Sequence, residues 1–224
     1  MLSNFLIKLG CKIKWLGKRK VQIDGVKNLK DINYNIMFDR IEAVTYMIAA
    51  AATNGRVSIK NIQPKIIDKE ILLLKKIGVK IIEKKNKITI ISSKSLKGIN
   101  IKTSPYPGFP TDLQAQLMVL MCKAKNQSII RENIFENRFM HVSELNRMGA
   151  DIIVKGRKAI INGNKKLSGA QLMATDLRAS VSLVIAALIS NKKSIINRIY
   201  HLDRGYENIE KKLSNCGANI KRIK

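Results

Sequence analysis

Three segments of the chain set an Asp close to the start of an apolar helical stretch. Asp39-Arg40-Ile41-Glu42 precedes VTYMIAAAA, Pro110-Thr111-Asp112 precedes LQAQLMVLMCKA, and Thr175-Asp176-Leu177-Arg178 precedes ASVSLVIAALI. An Asp in this position can accept the free N–H groups of the first helical turn and suits the positive end of the helix dipole. Three such starts, at roughly equal intervals, would gather charge and helix N-termini around one site able to hold an anion. Asp112 also follows the stiff turn Gly108-Phe109-Pro110-Thr111. Two roles are open to it, a plain helix cap or a base that takes a proton from a poorly nucleophilic hydroxyl. Arg204, in His201-Leu202-Asp203-Arg204-Gly205-Tyr206, has the planar fork that suits a carboxylate or phosphate, and equally suits a surface pair with Asp203. Gly205 would leave room for close backbone approach.

A second motif alternates with the first and must position it. Amphipathic helices ending in Gly10, Gly78, Gly149 and Gly217 each run into a β-branched strand, in NFLIKLGCKIKW, ILLLKKIGVKIIE, VSELNRMGADIIV and IEKKLSNCGANIKRI. These glycines are 68, 71 and 68 residues apart, the period of a repeated supersecondary unit. Gly at this point is the expected left-handed helix cap. Second strands follow a basic turn at VQIDG, KITIISS and KAIINGN, and strands RVSIKNI, QSIIRENI and KSIINRIY link the two helices of each unit. The unit therefore reads β-α-β-α-β-β, an α/β fold with strands covered by helices. Two complete units are expected from about residue 38 to 172, with incomplete units at both ends, which suggests part of a longer protein.

Composition narrows the function classes. At 46% apolar, 224 residues can bury a substantial core. No apolar run reaches the roughly 18 residues of a membrane span, and MLSNFLIKLGCKIKW has neither the clean apolar run nor the cleavage site of a signal peptide, so a cytoplasmic location with no membrane partner is expected. Cys11, Cys122 and Cys216 are odd in number, far apart and without metal-ligand spacing, and read as reduced packing residues. The net charge is +26, yet the lysines are scattered and aromatic residues are only 5%, which argues against stacking platforms for nucleic acid. The Ile-Lys-Asn-rich composition fits codon drift, so no specific nucleic-acid partner is expected.

The segments FDRIEA, SPYPGFPTDLQAQ, FENRFMHVSELNRMGA, KLSGAQLMATDLRAS and IYHLDRGYENIEKKLSNCGANI resemble the C-terminal half of the UDP-N-acetylglucosamine enolpyruvyl transferases (1-carboxyvinyltransferases). The match runs from NFLIKLG onward; the related EPSP synthases share the repeat but not FENRFMHV or SGAQLMATDLRAS in this form. The resemblance implies an "inside-out" α/β barrel with helices inside and sheets outside. Residues 1–37 would be the tail of a first domain and 38–224 most of a second. It also implies transfer of the enolpyruvyl group of phosphoenolpyruvate to the 3′-hydroxyl of UDP-N-acetylglucosamine, the first committed step of peptidoglycan precursor synthesis, with no metal and no organic cofactor. By resemblance, Asp112 contacts that hydroxyl as the candidate base and Arg204 meets phosphoenolpyruvate. Arg138 and Arg178 organise the substrate site, with Glu136 and Asp176 placed to hold them. Ile134, otherwise the end of a strand, lies against the uridine-bearing substrate. Arg40 and Glu42 are possible lining residues.

The family's phosphoenolpyruvate-binding Lys-Asn pair and its loop with a proton-donating Cys belong to the first half of such enzymes, and none of the three cysteines here matches that Cys. The expected partners are therefore the two substrates and the N-terminal half, if separately encoded. The alternatives are a catalytically inactive fold remnant and a basic nucleic-acid-binding module.

Overall fold

The structure is a computed structural model that describes residues 1–18, 20–91 and 95–223. It divides into two units, Met1–Asp39 and Arg40–Lys224. In the first, helix α1 (Leu2–Lys8) turns through Gly10 at φ 103° into an antiparallel hairpin of β1 (Lys12–Trp15) and β2 (Val21–Asp24). Residues 25–39 carry no helix or strand.

The second unit holds the repeats. Its first comprises α2 (Arg40–Ala52), β3 (Arg56–Lys60), a 3-10 turn (Pro64–Ile67), α3 (Asp68–Ile77), β4 (Lys80–Lys84) and β5 (Lys87–Ile91). The last two serines of the KITIISS strand lie outside the described residues. The next comprises β6 (Asn100–Lys102), a 3-10 turn (Thr111–Leu113), α4 (Gln114–Cys122), β7 (Ser128–Arg131), α5 (His141–Arg147), β8 (Asp151–Lys155) and β9 (Lys158–Asn162). The last comprises β10 (Gln171–Met173), α6 (Leu177–Leu188), β11 (Ile195–Asn197), α7 (Tyr200–Asp203) and α8 (Ile209–Asn215). Gly78, Gly149 and Gly217 take φ of 110°, 92° and 94°, the left-handed caps that the repeat requires.

Each repeat makes its own sheet. The orders are β3-β5-β4, β6-β7-β9-β8 and the parallel pair β10-β11. The four-stranded sheet shows the whole unit: β6 lies parallel to β7, and the β8-β9 hairpin adds antiparallel to β7 through β9. Two expected strands are missing. The residues before α2 form no leading strand, so the first sheet has three strands rather than four. Residues Ala218–Ile223, expected to be a strand, are irregular. The flank of α6 and α8 is open there as a groove of about 1120 Å³ lined by Ala49, Thr53, Val184, Leu188 and Leu213. Among the described residues no strand bridges one sheet to another, so the α/β architecture has its helices central without a closed barrel.

The core lies where α2, α4 and α6 pack together. All nine residues of α4 are buried, as expected for a helix that is apolar all round. Ile88 and Ile90 of β5, and Ala159 and Ile161 of β9, close the core from the sheets. Leu117, midway along α4, has no solvent exposure. Leu117→Ala should lower the unfolding free energy by about 2–5 kcal/mol through lost transfer energy and a residual cavity; a loss below about 1 kcal/mol in denaturant titration would show that α4 is not the centre of the fold.

Candidate functional site

Asp112 sits in the 3-10 turn that leads into α4, not at a capping position. Its carboxylate makes no cap bond and turns toward two arginines. Arg138 Nη1 donates to Oδ1 at 3.0 Å and Arg178 Nη2 donates to Oδ2 at 3.2 Å. Each carboxylate oxygen thus has its own guanidinium, one from the loop after β7 and one from the first turn of α6. Burial alone would raise the Asp112 pKa. The Arg178 charge and the hydrogen bonds from Arg138 and Arg178 outweigh it and hold the carboxyl below the ordinary value.

The turn before Asp112 is tight. Ser104 N donates to Phe109 O at 2.9 Å, and Gly108 N donates to Pro105 O at 2.8 Å. A Cβ on Gly108 would lie 1.8 Å from Ser104 Oγ and 3.1 Å from Pro105 O, so a larger residue would force the Ser104 hydroxyl to rotate away. The Arg40 guanidinium lies 5.3 Å from the Tyr106 ring centroid and pairs with buried Glu70 at 3.0 Å. The start of α2 therefore touches the Asp112 turn, although Arg40 spends its charge on Glu70. Glu42 pairs with Lys212 at 2.7 Å instead of lining the site.

Beneath the clasp lies a hydrogen-bonded node that sequence reasoning missed. The Thr45 hydroxyl of α2 donates to Ile41 O at 2.8 Å, so it accepts from the Tyr206 hydroxyl, 3.0 Å away. Tyr206 in turn accepts from Gln116 Nε2 of α4 at 3.4 Å and Arg178 Nη1 of α6 at 3.5 Å. Gln116 Nε2 also donates to the Asp112 carbonyl at 2.9 Å. Burial pushes the Tyr206 phenol pKa up, which keeps its proton available for Thr45. Three helices thus meet on one buried hydroxyl directly behind the Asp112–Arg178 pair. Nothing local in the sequence marks Tyr206 or Gln116; only the packing of three distant segments reveals the node.

Glu132 was missed for the same reason. It is fully buried just beyond β7 and accepts from Thr103 Oγ1 at 2.8 Å, Thr111 Oγ1 at 2.9 Å, Ile134 N at 2.9 Å and Phe135 N at 3.2 Å. It anchors the loop carrying Ile134 and Arg138. Buried His141, at the start of α5, has a pKa pushed down to about 4 by burial, with Asp176 opposing and Arg138 assisting, so it is neutral near pH 7.

The other candidates fall in several places. Ile134 is in the loop beyond β7, not at the strand's end, and is exposed with its amide held by Glu132. Glu136 does not hold Arg138; it is exposed and pairs with Arg157 at 2.9 Å, while Arg138 lies 4.6 Å from the Phe135 ring centroid. Asp176 caps α6 by accepting from Arg178 N at 2.8 Å and Ala179 N at 3.0 Å, so it fixes the Arg178 backbone and not its guanidinium. Asp176 is thus the side-chain cap that an Asp-led start predicts. Asp39 directly precedes α2. Arg204 is exposed at the end of α7, and Asp203 pairs with Arg222 at 2.6 Å rather than with it. Gly205 is exposed, and a Cβ there would meet the Leu177 side-chain tip at 2.9 Å. Burial pushes the Cys122 thiol to about 12, which makes it unreactive; Cys11 is half-buried and Cys216 exposed. Among the described residues no group of three metal-ligating side chains occurs, and no helix is long and apolar enough to cross a membrane.

Repeated units packed helix to helix thus bring one carboxylate, Asp112, between two arginines on a repeat α/β scaffold. The chain belongs to the EPSP synthase (3-phosphoshikimate 1-carboxyvinyltransferase) family, whose model matches residues 1–213. It is 66% identical over 222 residues to UDP-N-acetylglucosamine 1-carboxyvinyltransferase of Pelagibacter ubique, covering 99% of this chain and 53% of that protein. It is 56% identical, with the same coverage, to the enzyme of that name from Geotalea daltonii. The chain therefore spans about half the length of the curated relatives it matches. Among solved structures, the enolpyruvyl transferase NikO from Streptomyces tendae matches with a TM-score of 0.88 at 27% identity, over 98% of this chain and 53% of that one. EPSP synthase from Acinetobacter baumannii shares the fold, with a TM-score of 0.77 at 21% identity over 99% of this chain and 55% of that one. The expected resemblance and fold class thus hold.

Because folding lowers the Asp112 pKa, its contribution to stability is present above the unfolded value of about 4 and is lost as pH falls through the folded value. Denaturant midpoints taken from about pH 6 to pH 2 should fall less steeply for Asp112→Asn than for wild type across this carboxylate range. Parallel curves would show that the two arginines do not stabilise the charged carboxylate.

Proposed function

We propose that the chain contributes the acceptor-activating half of an enzyme that transfers the enolpyruvyl group of phosphoenolpyruvate to the 3′-hydroxyl of UDP-N-acetylglucosamine. In this reading residues 1–37 end one transferase domain and residues 38–224 form most of the next. The setting is peptidoglycan precursor synthesis in the cytoplasm. The observation that carries the reading is the Asp112 carboxylate held between Arg138 and Arg178, in a chain related at 66% identity to an enzyme named for this transfer.

Asp112 is the base that takes the proton of the attacking hydroxyl. A carboxylate clasped by two cations is reliably ionised but weakly basic. Substrate binding resolves this conflict. Phosphoenolpyruvate and the sugar diphosphate bring anions that compete for the same guanidiniums, and each cation drawn away raises the proton affinity of Asp112. Arg138 and Arg178 then stabilise substrate charge bidentately. Asp176 holds the Arg178 backbone in place, and exposed Arg204 is free to meet phosphoenolpyruvate. The exposed Ile134 side chain faces the uridine-bearing substrate, while its amide stays on Glu132. Glu136, paired with Arg157, has an outer role only.

The test supplies the chain with the other half of the enzyme and reads phosphate release from phosphoenolpyruvate. Asp112→Ala and Asp112→Asn should each reduce turnover by at least about 100-fold, the scale of a lost general base, while the far-ultraviolet spectrum stays native and the melt stays cooperative, at a somewhat lower midpoint. Turnover within a few-fold of wild type would reject Asp112 as the base.

A further inference from the structure

The Arg138 guanidinium rests on two supports, and both lead to Glu132. One support is the Thr111 hydroxyl, which accepts from Arg138 Nη1 at 3.0 Å. The other is the Phe135 ring, 4.6 Å from the guanidinium. Glu132 Oε2 accepts from Thr111 Oγ1, and Glu132 Oε1 accepts from the amides of Ile134 and Phe135 and from Thr103. Its four donors are all neutral, two hydroxyls and two backbone N–H groups. Arg138 only donates and a carboxylate only accepts, so the single Thr111 proton must point to Glu132 and a lone pair to Arg138. The same Nη1 also reaches Asp112 Oδ1.

We propose that Glu132 is a positioning residue: by setting the direction of the Thr111 hydroxyl and pinning the Phe135 backbone, it aims Arg138 at Asp112. The consequence for catalysis rests on reading Asp112 as the base. Glutamine cannot replace Glu132. With its amide nitrogen toward Thr111, that hydroxyl receives two donors and its own proton is turned away from Glu132. With the nitrogen on the other side, it faces three donors. Either orientation leaves a buried polar group unpaired, which forces the loop to shift.

The test uses the full 224-residue chain, isotopically labelled, with hindered rotation of the arginine Nη groups read by nuclear magnetic resonance. Arg178, held by Asp112 and Tyr206, is the internal control. Wild type and Thr111→Ser should show separate, hindered Arg138 signals. Glu132→Gln and Thr111→Val should lose them while the Arg178 signals persist. Should Glu132→Gln fail to fold, the Thr111→Val and Thr111→Ser pair still decides. A hindered Arg138 signal that survives Thr111→Val overturns the proposal, whatever Glu132→Gln shows. The measurement needs no substrate, so its outcome is independent of the transfer reaction.

Discussion

A half-buried carboxylate between two guanidiniums is the constraint around which the second unit is arranged. Asp112, Arg138 and Arg178 come from three stretches of chain that only the tertiary fold brings together. Surface ion pairs are worth little because solvent screens them and long side chains lose entropy on pairing. This cluster is different in how much of that cost is met in advance. Arg178 is fixed at its backbone by Asp176 and at its guanidinium by Tyr206. Arg138 rests on Thr111 and Phe135. The side chains are ordered by neighbours before they meet Asp112, and the site is preorganised for charge.

The fold explains why that support exists. Each repeat sends one apolar helix into the centre and lays its sheet on the outside. The three helix starts therefore approach one another, and Thr45, Gln116 and Arg178 meet at the Tyr206 hydroxyl. A polar node inside an apolar core is tolerated because the Tyr206 oxygen finds three partners and Thr45 is satisfied within its own helix. Disturbing the packing of α2, α4 or α6 would move the clasp as well as loosen the core.

Much of this was legible in the residues. The regular glycine spacing marked the repeat, because only a residue at ease with positive φ can turn each helix into its strand. Asp112 and Arg178 lay in the Asp-led helix starts and Arg138 was marked by the family resemblance, and the fold unites the three. Glu136 and Arg40 show the limit of that reading. Each lies beside a candidate residue in sequence, yet each is paired elsewhere: with Arg157 and with Glu70. Glu132 and Tyr206 went unnoticed because their side-chain partners are 21 to 161 residues away. The missing strands before α2 and after α8 depend on pairing partners, which no local propensity reports.

The central claim is that Asp112 and Arg178 act as one unit, which a double-mutant cycle measures directly. Unfolding free energies are compared for wild type, Asp112→Asn, Arg178→Met and the double variant. A coupling of at least about 0.5 kcal/mol is expected for charges in contact. Additivity to within about 0.3 kcal/mol would mean that the pair is a bystander of the fold, and the account built on it would fail.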